Sequence, residues 1–237
     1  MKPLLRSFSI FIRQISNDSM LVVVCAAPIL AGLFFHFGIP FVEELLCGYF
    51  NQTAILSKYY LLFDLMLSIL TPFLFCFASS MVILAEYDEN MTNYMSVTPV
   101  GKKGYLISRL IFPAVISFVA SILLMLCFSL TTWTFPMIAA TCMLTCILSI
   151  AISLLLISYS HNRVEGMALS KLSGLVTLGL PVPFFLLSDA QYLFSLLPSF
   201  WIAKLCTEQN FMFFIPAIFI SGVWIYLLYK KFEKKIA

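Results

Sequence analysis

Residues that could do chemistry are few in this sequence, and they are scattered. It has two histidines, His36 and His161, and eleven acidic residues among 237. A metal site needs His, Cys, Asp or Glu grouped at ligand spacing, and the two histidines lie on opposite sides of the topology derived below. The string VGKKGY at residues 100–105 lacks the G-x-x-x-x-G-K-[ST] order that holds nucleotide phosphates. We therefore predict no catalytic residue, no metal site and no cofactor bound by this chain.

The remaining acidic groups also fail as reaction centres. The string EELLCG at residues 43–48 begins like the EExxxR pattern of CAAX-type intramembrane proteases, but it lacks the arginine and is predicted to form an outer loop. Asp64 and His36 fall near the ends of apolar runs, whereas a proton- or sodium-driven carrier needs ionisable groups near the midplane. We interpret both as groups satisfied at the interface or within the bundle, and a secondary carrier is disfavoured.

The elements that carry these residues are predicted to be membrane helices. The chain is 62% hydrophobic with a mean hydropathy of +1.02, against about 45–50% apolar in soluble domains. Backbone hydrogen bonds must be satisfied inside lipid, which favours helices, and a span needs about 20 apolar residues. We predict an all-α integral membrane protein, a single domain over residues 1–237. Its six spans are residues 20–38, 60–84, 105–131, 135–159, 171–188 and 211–229.

The basic residues orient these spans. With six spans, twelve of the fourteen lysines and arginines fall on one side, which is the cytoplasmic side by the positive-inside rule. Both termini are then cytoplasmic, and we expect a multi-pass protein of a bacterial plasma membrane. The exceptions are Lys58 and Lys204. The connections that contain them also hold Cys47 and Cys206, so a disulfide between these two cysteines is conceivable but disfavoured.

Two further segments lie in the membrane interface by prediction. Residues 1–18 carry an apolar stripe of Leu4, Phe8, Phe11 and Ile15 on a basic helix, which favours an interfacial helix over a simple positive anchor. Residues 189–210 are too apolar for a free loop, and Pro198 divides them into two short pieces. This pattern predicts an outer re-entrant hairpin; the alternative is an amphipathic loop resting on the outer leaflet.

One polar stretch interrupts the apolar sequence, at residues 83–110 (ILAEYDENMTNYMSVTPVGKKGYLISRL). Asp88 is suited to cap a helix and Glu89 to occupy its first turn, while Pro99 discourages helix at Thr98. The short helix between them would place one set of residues at i, i+3, i+4 and i+7: Met91, Tyr94, Met95 and Thr98. Such a stripe suits a partner's groove, or equally the chain's own spans and the lipid headgroups.

The order of these features resembles the permease subunits of ABC-2 type transporters, closest to the drug-export, fluoroquinolone-exporter-like branch. The resemblance rests on acidic residues after the second span (Glu86, Asp88, Glu89), a short helix at residues 90–97, the Thr98-Pro99-Val100 string and a basic residue, Arg109, opening the third span. A second match is NRVEGMALSKLSG at residues 162–174, with Glu165 and Lys171, and a third is LLPSFW at residues 196–201. Arg109 stands where lysine is more usual.

The resemblance implies a division of labour between subunits. Residues 86–104 would form a coupling-helix loop that docks on a separate ABC ATPase, which binds ATP and magnesium, and two permeases would pair as a homodimer or with a sister subunit. Asp88, Glu89 and Pro99 join the four stripe residues as the predicted coupling set. Glu86 is predicted to anchor the loop by pairing with Arg109 or with the interfacial helix.

The substrate is expected to be an amphipathic drug, peptide or lipid-like molecule, with no role for nucleic acid. Phe184, Phe185 and Trp201 are candidate pathway residues, although lipid-facing side chains would have the same composition. The alternative function is a membrane immunity or sensor protein that binds an antimicrobial peptide without transport.

Overall fold

The computed structural model describes residues 2–89, 105 and 107–236, and in these residues every regular element is helical. Helices are numbered α1 to α10 in chain order. They span Lys2–Asn17 (α1), Ser19–Leu33 (α2), Ile39–Phe50 (α3), Tyr60–Asp88 (α4), Phe112–Phe128 (α5), Phe135–Tyr159 (α6), Arg163–Ser173 (α7), Val182–Phe185 (α8), Pro198–Glu208 (α9) and Phe214–Ile236 (α10). The predicted helical membrane architecture is therefore confirmed.

Five helices in the described residues are long and apolar enough to cross a membrane: Ser19–Phe50, Ser57–Asp88, Ser108–Phe128, Phe135–Tyr159 and Phe211–Lys235. The predicted fifth run is not one long helix. It divides into α7, a 3-10 segment at Gly174–Gly179 and α8, because prolines at 181 and 183 remove backbone donors that a continuous helix needs. Five of the six predicted spans thus have a continuous helix, and the count of six stays a prediction.

The first span is longer than predicted, and the prediction of an outer loop at residues 43–48 is wrong. A π-turn at Phe34–Gly38 joins α2 directly to α3, so Glu43 lies on a helix. Its carboxylate accepts hydrogen bonds from the backbone N–H groups of Ile55 (2.9 Å) and Leu56 (2.5 Å). Glu43 therefore holds the connection that follows α3, which is a structural role.

Helices α4 and α6 form the centre of the bundle. In the most apolar 18-residue stretch of the Ser57–Asp88 span, 78% of residues are buried, compared with 17% in the corresponding stretch of the first span. Buried hydroxyls join α4, α5 and α6: Ser80 and Ser153 Oγ atoms lie 2.6 Å apart, and Ser121 Oγ donates to the Ser68 carbonyl at 3.0 Å. Small residues at helix contacts allow the backbones to approach closely in lipid.

The prolines of α4 and α5 explain where two of these hydroxyls donate. Pro72 has no N–H, so the Ser68 carbonyl four residues earlier loses its helical donor, and Ser121 and Thr145 (3.2 Å) donate to it instead. Pro113 frees the Arg109 carbonyl in the same way, and the Ser79 hydroxyl donates to that group. Both of these released acceptors are satisfied by a neighbouring helix.

Asp64 fixes the short connection between α5 and α6. Its carboxylate is buried, and it accepts from the backbone N–H groups of Leu130 (2.8 Å) and Thr131 (3.0 Å), from the Thr131 hydroxyl (2.6 Å) and from the Trp133 indole N–H (2.9 Å). The expectation that Asp64 is satisfied within the bundle is confirmed. We call this side of the molecule the Asp64 end, and the opposite side, where α4 stops after Glu86, the Glu86 end.

Residues 189–208 form two pieces that meet at Pro198, a 3-10 segment at Asp189–Leu196 and helix α9; that residues 189–210 form an outer re-entrant hairpin stays a prediction. Helix α9 is largely buried, and it packs closely on the 3-10 segment at Gly174–Gly179. A Cβ atom on Gly179 would lie 2.5 Å from the backbone nitrogen of Phe200. Cys206 is buried and its sulfur lies 3.2 Å from the Thr141 hydroxyl; Cys47 is also free, so the two cysteines are not paired.

Candidate functional site

The candidate site is the junction of α1, α4, α5 and α7 at the Glu86 end. Helix α1 reaches it with the predicted stripe: Phe11 is 1% exposed, and Phe8 and Ile15 pack beside it, while Ile10 and Ile12 on other faces are exposed. The Phe8 ring meets the Phe112 ring edge-on, with centroids 5.1 Å apart. The stripe therefore serves to seat α1 on the start of α5 and on α4.

A buried ion pair lies under α1. The Glu86 carboxylate accepts from Arg109 Nε at 3.2 Å and from Arg109 Nη2 at 2.5 Å, with Arg109 0% and Glu86 2% exposed. The Tyr105 hydroxyl donates to Glu86 Oε2 at 2.7 Å. The guanidinium carbon of Arg109 also lies 5.2 Å from the centroid of the Phe11 ring, within cation–π range.

This pair closes the ends of the predicted coupling loop. Glu86 is two residues from the end of α4, and Arg109 lies in the π-turn at Ile107–Ile111 that leads into α5. A planar guanidinium bonded through two nitrogens to one carboxylate fixes both partners in orientation. The end of α4 and the start of α5 are therefore held together, with α1 packed over them. The role of Glu86 and Arg109 as anchors remains a prediction.

A second polar contact joins α7 to the same junction. The Arg163 guanidinium pairs with Asp18, which caps α2 by accepting from Met20 N at 3.0 Å. The hydrogen bond from the Arg163 guanidinium lowers the pKa of the Asp18 carboxyl below its usual value, although burial by itself would raise that pKa. The two side chains are 29% and 25% exposed, so this pair is much more accessible to solvent than the Glu86–Arg109 pair.

Asp88 does not occupy the position expected from the sequence. It is the last residue of α4, followed by Glu89 in a turn, and its Oδ2 accepts from the backbone N–H of Arg163 at 3.1 Å. Arg163 is the first residue of α7, so Asp88 accepts from the first backbone N–H of a helix that is distant in sequence. The other predicted coupling residues, Met91, Tyr94, Met95, Thr98 and Pro99, lie outside the described residues.

The remaining predicted anchors belong to α7. Glu165 forms a reciprocal cap at its start: Asn162 Oδ1 accepts from Glu165 N at 2.8 Å, and Glu165 Oε2 accepts from His161 N at 2.7 Å. Lys171 is exposed on the same helix. The close contact in this region comes from Gly166, where a Cβ would lie 2.3 Å from Leu84 Cδ1.

The candidate pathway residues differ in their surroundings. Phe184 and Trp201 both pack against the core at the Asp64 end, and the Trp201 indole N–H donates to the Ser195 carbonyl at 2.7 Å. Phe185 is 62% exposed and stacks on Tyr59, with ring centroids 5.3 Å apart. Their role as a pathway lining stays a prediction.

Sequence reasoning missed the partners that complete the junction. Tyr105 was assigned only to a span, although it stands one helical turn before Arg109 and is therefore on the same face. The contact between Asp18, Arg163 and Asp88 joins residues 145 and 75 positions apart. No local pattern indicates a contact at such distances.

Five apolar helices of spanning length, with a charged pair buried at one end, define a multi-span helical membrane protein. The model of the fluoroquinolones export permease protein Rv2686c-like family matches residues 11–229, and the chain belongs to this family. The match is consistent with an ABC-2 type drug-export permease, and it does not favour the immunity-protein alternative. No curated protein matches the sequence.

Proposed function

We propose that this chain is the membrane-spanning subunit of an ATP-binding-cassette exporter, which moves an amphipathic substrate out of the cell. ATP and magnesium are bound by a separate ATPase subunit and not by this chain. Two permeases act together, as a homodimer or with a sister subunit. The twelve basic residues on one side favour a plasma-membrane orientation with both termini in the cytoplasm.

The observation that carries this proposal is the Glu86–Arg109 pair. The predicted coupling-helix loop, residues 86–104, begins at Glu86 and ends five residues before Arg109. Because the pair fixes these two points to each other, a displacement of the segment has to move α4 and α5 together rather than separate them. Phe11 extends the same connection to α1.

The second contact distributes this displacement further. Asp88 accepts from the first backbone N–H of α7 and Arg163 pairs with Asp18 at the start of α2, so the ends of α2, α4 and α7 meet at these contacts. ATP-driven closure of the partner subunits would then be converted into a rigid-body movement of this end of the bundle. The movement exposes the pathway to the opposite side of the membrane.

The test is co-purification of the chain with an ABC ATPase that is expressed together with it. The variant Tyr94→Asp/Met95→Asp places two charges on the predicted docking stripe, and it should lose the ATPase in a pull-down. The matched control is Tyr49→Asp/Met212→Asp, which changes the same residue types at exposed positions of the Asp64 end, 82% and 74% exposed. Full retention of the ATPase by the first variant would rule out this stripe as the docking element.

Transport is measured in proteoliposomes. The chain together with its ATPase should move a fluorescent fluoroquinolone only when ATP is present, and the chain alone should move none. Transport by the chain alone, driven by an ion gradient, would make it a secondary carrier and overturn the proposal.

A further inference from the structure

A cleft of about 810 Å³ runs along one side of the bundle, between α10, the end of α6 and the broken segment formed by α7 and Gly174–Gly179. Its walls are aliphatic and aromatic side chains, and several of them are strongly exposed, among them Leu172, Phe219 and Leu227. The candidate pathway residues Phe184, Phe185 and Trp201 do not line it. The cleft is therefore separate from the site described above.

The cleft offers a hydrocarbon surface without free hydrogen-bonding groups in its body. The Trp224 indole N–H that borders it already donates to the Leu196 carbonyl at 3.2 Å, and the Ser173 hydroxyl donates to the Ser170 carbonyl at 2.6 Å. A polar drug would leave its own donors and acceptors unpaired against these walls, at a free-energy cost. An acyl chain has no hydrogen-bonding groups, so its binding carries no such cost.

One end of the cleft is basic. Tyr159, the last residue of α6, lines the cleft, and Lys231 Nζ lies 3.1 Å from the centroid of its ring. Among the described residues, no carboxylate lies within ion-pair distance of Lys231. Lys230 and Lys234 continue the α10 face that begins with Val223 and Leu227, at helical spacing, and both are exposed.

We propose that this cleft binds an anionic phospholipid, with its acyl chains along α10 and its phosphate beside Lys231 and Tyr159. Apolar walls closed at one end by lysines match such a lipid in both parts, and basic pockets between membrane helices bind anionic headgroups. The phenol hydroxyl of Tyr159 donates to the phosphate, and Lys231 supplies the charge. This inference is independent of the proposed transport function.

The headgroup is tested by native mass spectrometry of the purified chain titrated with phosphatidylglycerol or phosphatidylcholine. Phosphatidylglycerol should bind more tightly, and Lys231→Gln should weaken it about five-fold, the effect of one lysine near a lipid surface. The control Lys58→Gln removes an exposed lysine outside the cleft and should leave binding unchanged. Equal affinity for the two lipids, or an equal effect of the two substitutions, would overturn the anionic headgroup site.

The acyl-chain part is tested by filling the cleft. Val223→Trp places an indole in the groove and should remove the bound phospholipid, whereas Val23→Trp, at a valine of α2 that is 65% exposed and outside the cleft, should not. If Val223→Trp leaves phosphatidylglycerol bound but changes the oligomeric state, the groove is a contact between copies and the proposal fails. If Val223→Trp instead abolishes only drug binding, the occupant is the substrate and the proposal also fails.

Discussion

The Glu86–Arg109 pair can be tested against the Asp18–Arg163 pair in the same molecule. Arg109→Met keeps an unbranched side chain but leaves the Glu86 carboxylate buried, with the Tyr105 hydroxyl as its remaining described donor. Removing one partner of a buried pair costs about 3–5 kcal/mol. Arg163→Met breaks a pair whose side chains are a quarter or more exposed, and such pairs contribute about 0.2–1 kcal/mol.

The assay is unfolding in mixed detergent micelles, followed by circular dichroism. Arg109→Met should lose at least about 2 kcal/mol more than Arg163→Met, the smallest difference between the two ranges. Adding Glu86→Gln to Arg109→Met should recover part of this loss, because it removes the uncompensated buried charge. Equal losses of stability in the two single variants, or no recovery in the double variant, would refute the view that burial makes the Glu86–Arg109 pair the more important of the two for stability.

Three further experiments test the packing of the helix bundle. Gly179→Ala should destabilise the chain by about 1–3 kcal/mol, since its Cβ would meet backbone, whereas Gly174→Ala enters open space and should be neutral in the same unfolding assay. Asp64→Asn turns a carboxylate oxygen into a donor facing other donors and should cost about 1–3 kcal/mol, measured also as faster proteolysis of residues 129–134. Ser121→Ala/Thr145→Val should cost about 1.2 kcal/mol, at ~0.6 kcal/mol for each hydroxyl lost inside the membrane.

The parts of the fold that follow from local patterns were predictable. Apolar runs of spanning length predicted α4 and α6 with bounds within four residues of those observed. Phe8, Phe11 and Ile15 of the stripe on residues 1–18 lie on the packed face of α1, although the stripe was predicted to lie in the membrane interface. The partners of the Ser68 carbonyl follow from chemistry as well, because a proline four residues later always leaves that acceptor without its helical donor.

The parts that depend on tertiary contact were not predictable. Asp88 was predicted to cap a helix that lies outside the described residues; the structure adds a contact with α7, because the end of α4 passes beside Arg163. Glu43 looked like a loop residue because charge usually ends a span, yet the π-turn before it continues the helix and gives its carboxylate two backbone donors. In both cases the hydrogen-bond partners lie outside the helix that carries the carboxylate.

The Asp64 carboxylate also bears on how the chain is made. Asp64 is synthesised 66 residues before Leu130, whose backbone N–H is the first donor to its carboxylate. Helix α4 is therefore made before these hydrogen-bond donors exist. The hairpin of α5 and α6 supplies all of the described donors in a single step when residues 130–133 emerge from the ribosome. We therefore expect the hairpin of α5 and α6 to assemble onto α4 as one unit, because its connection carries all of the described donors to Asp64.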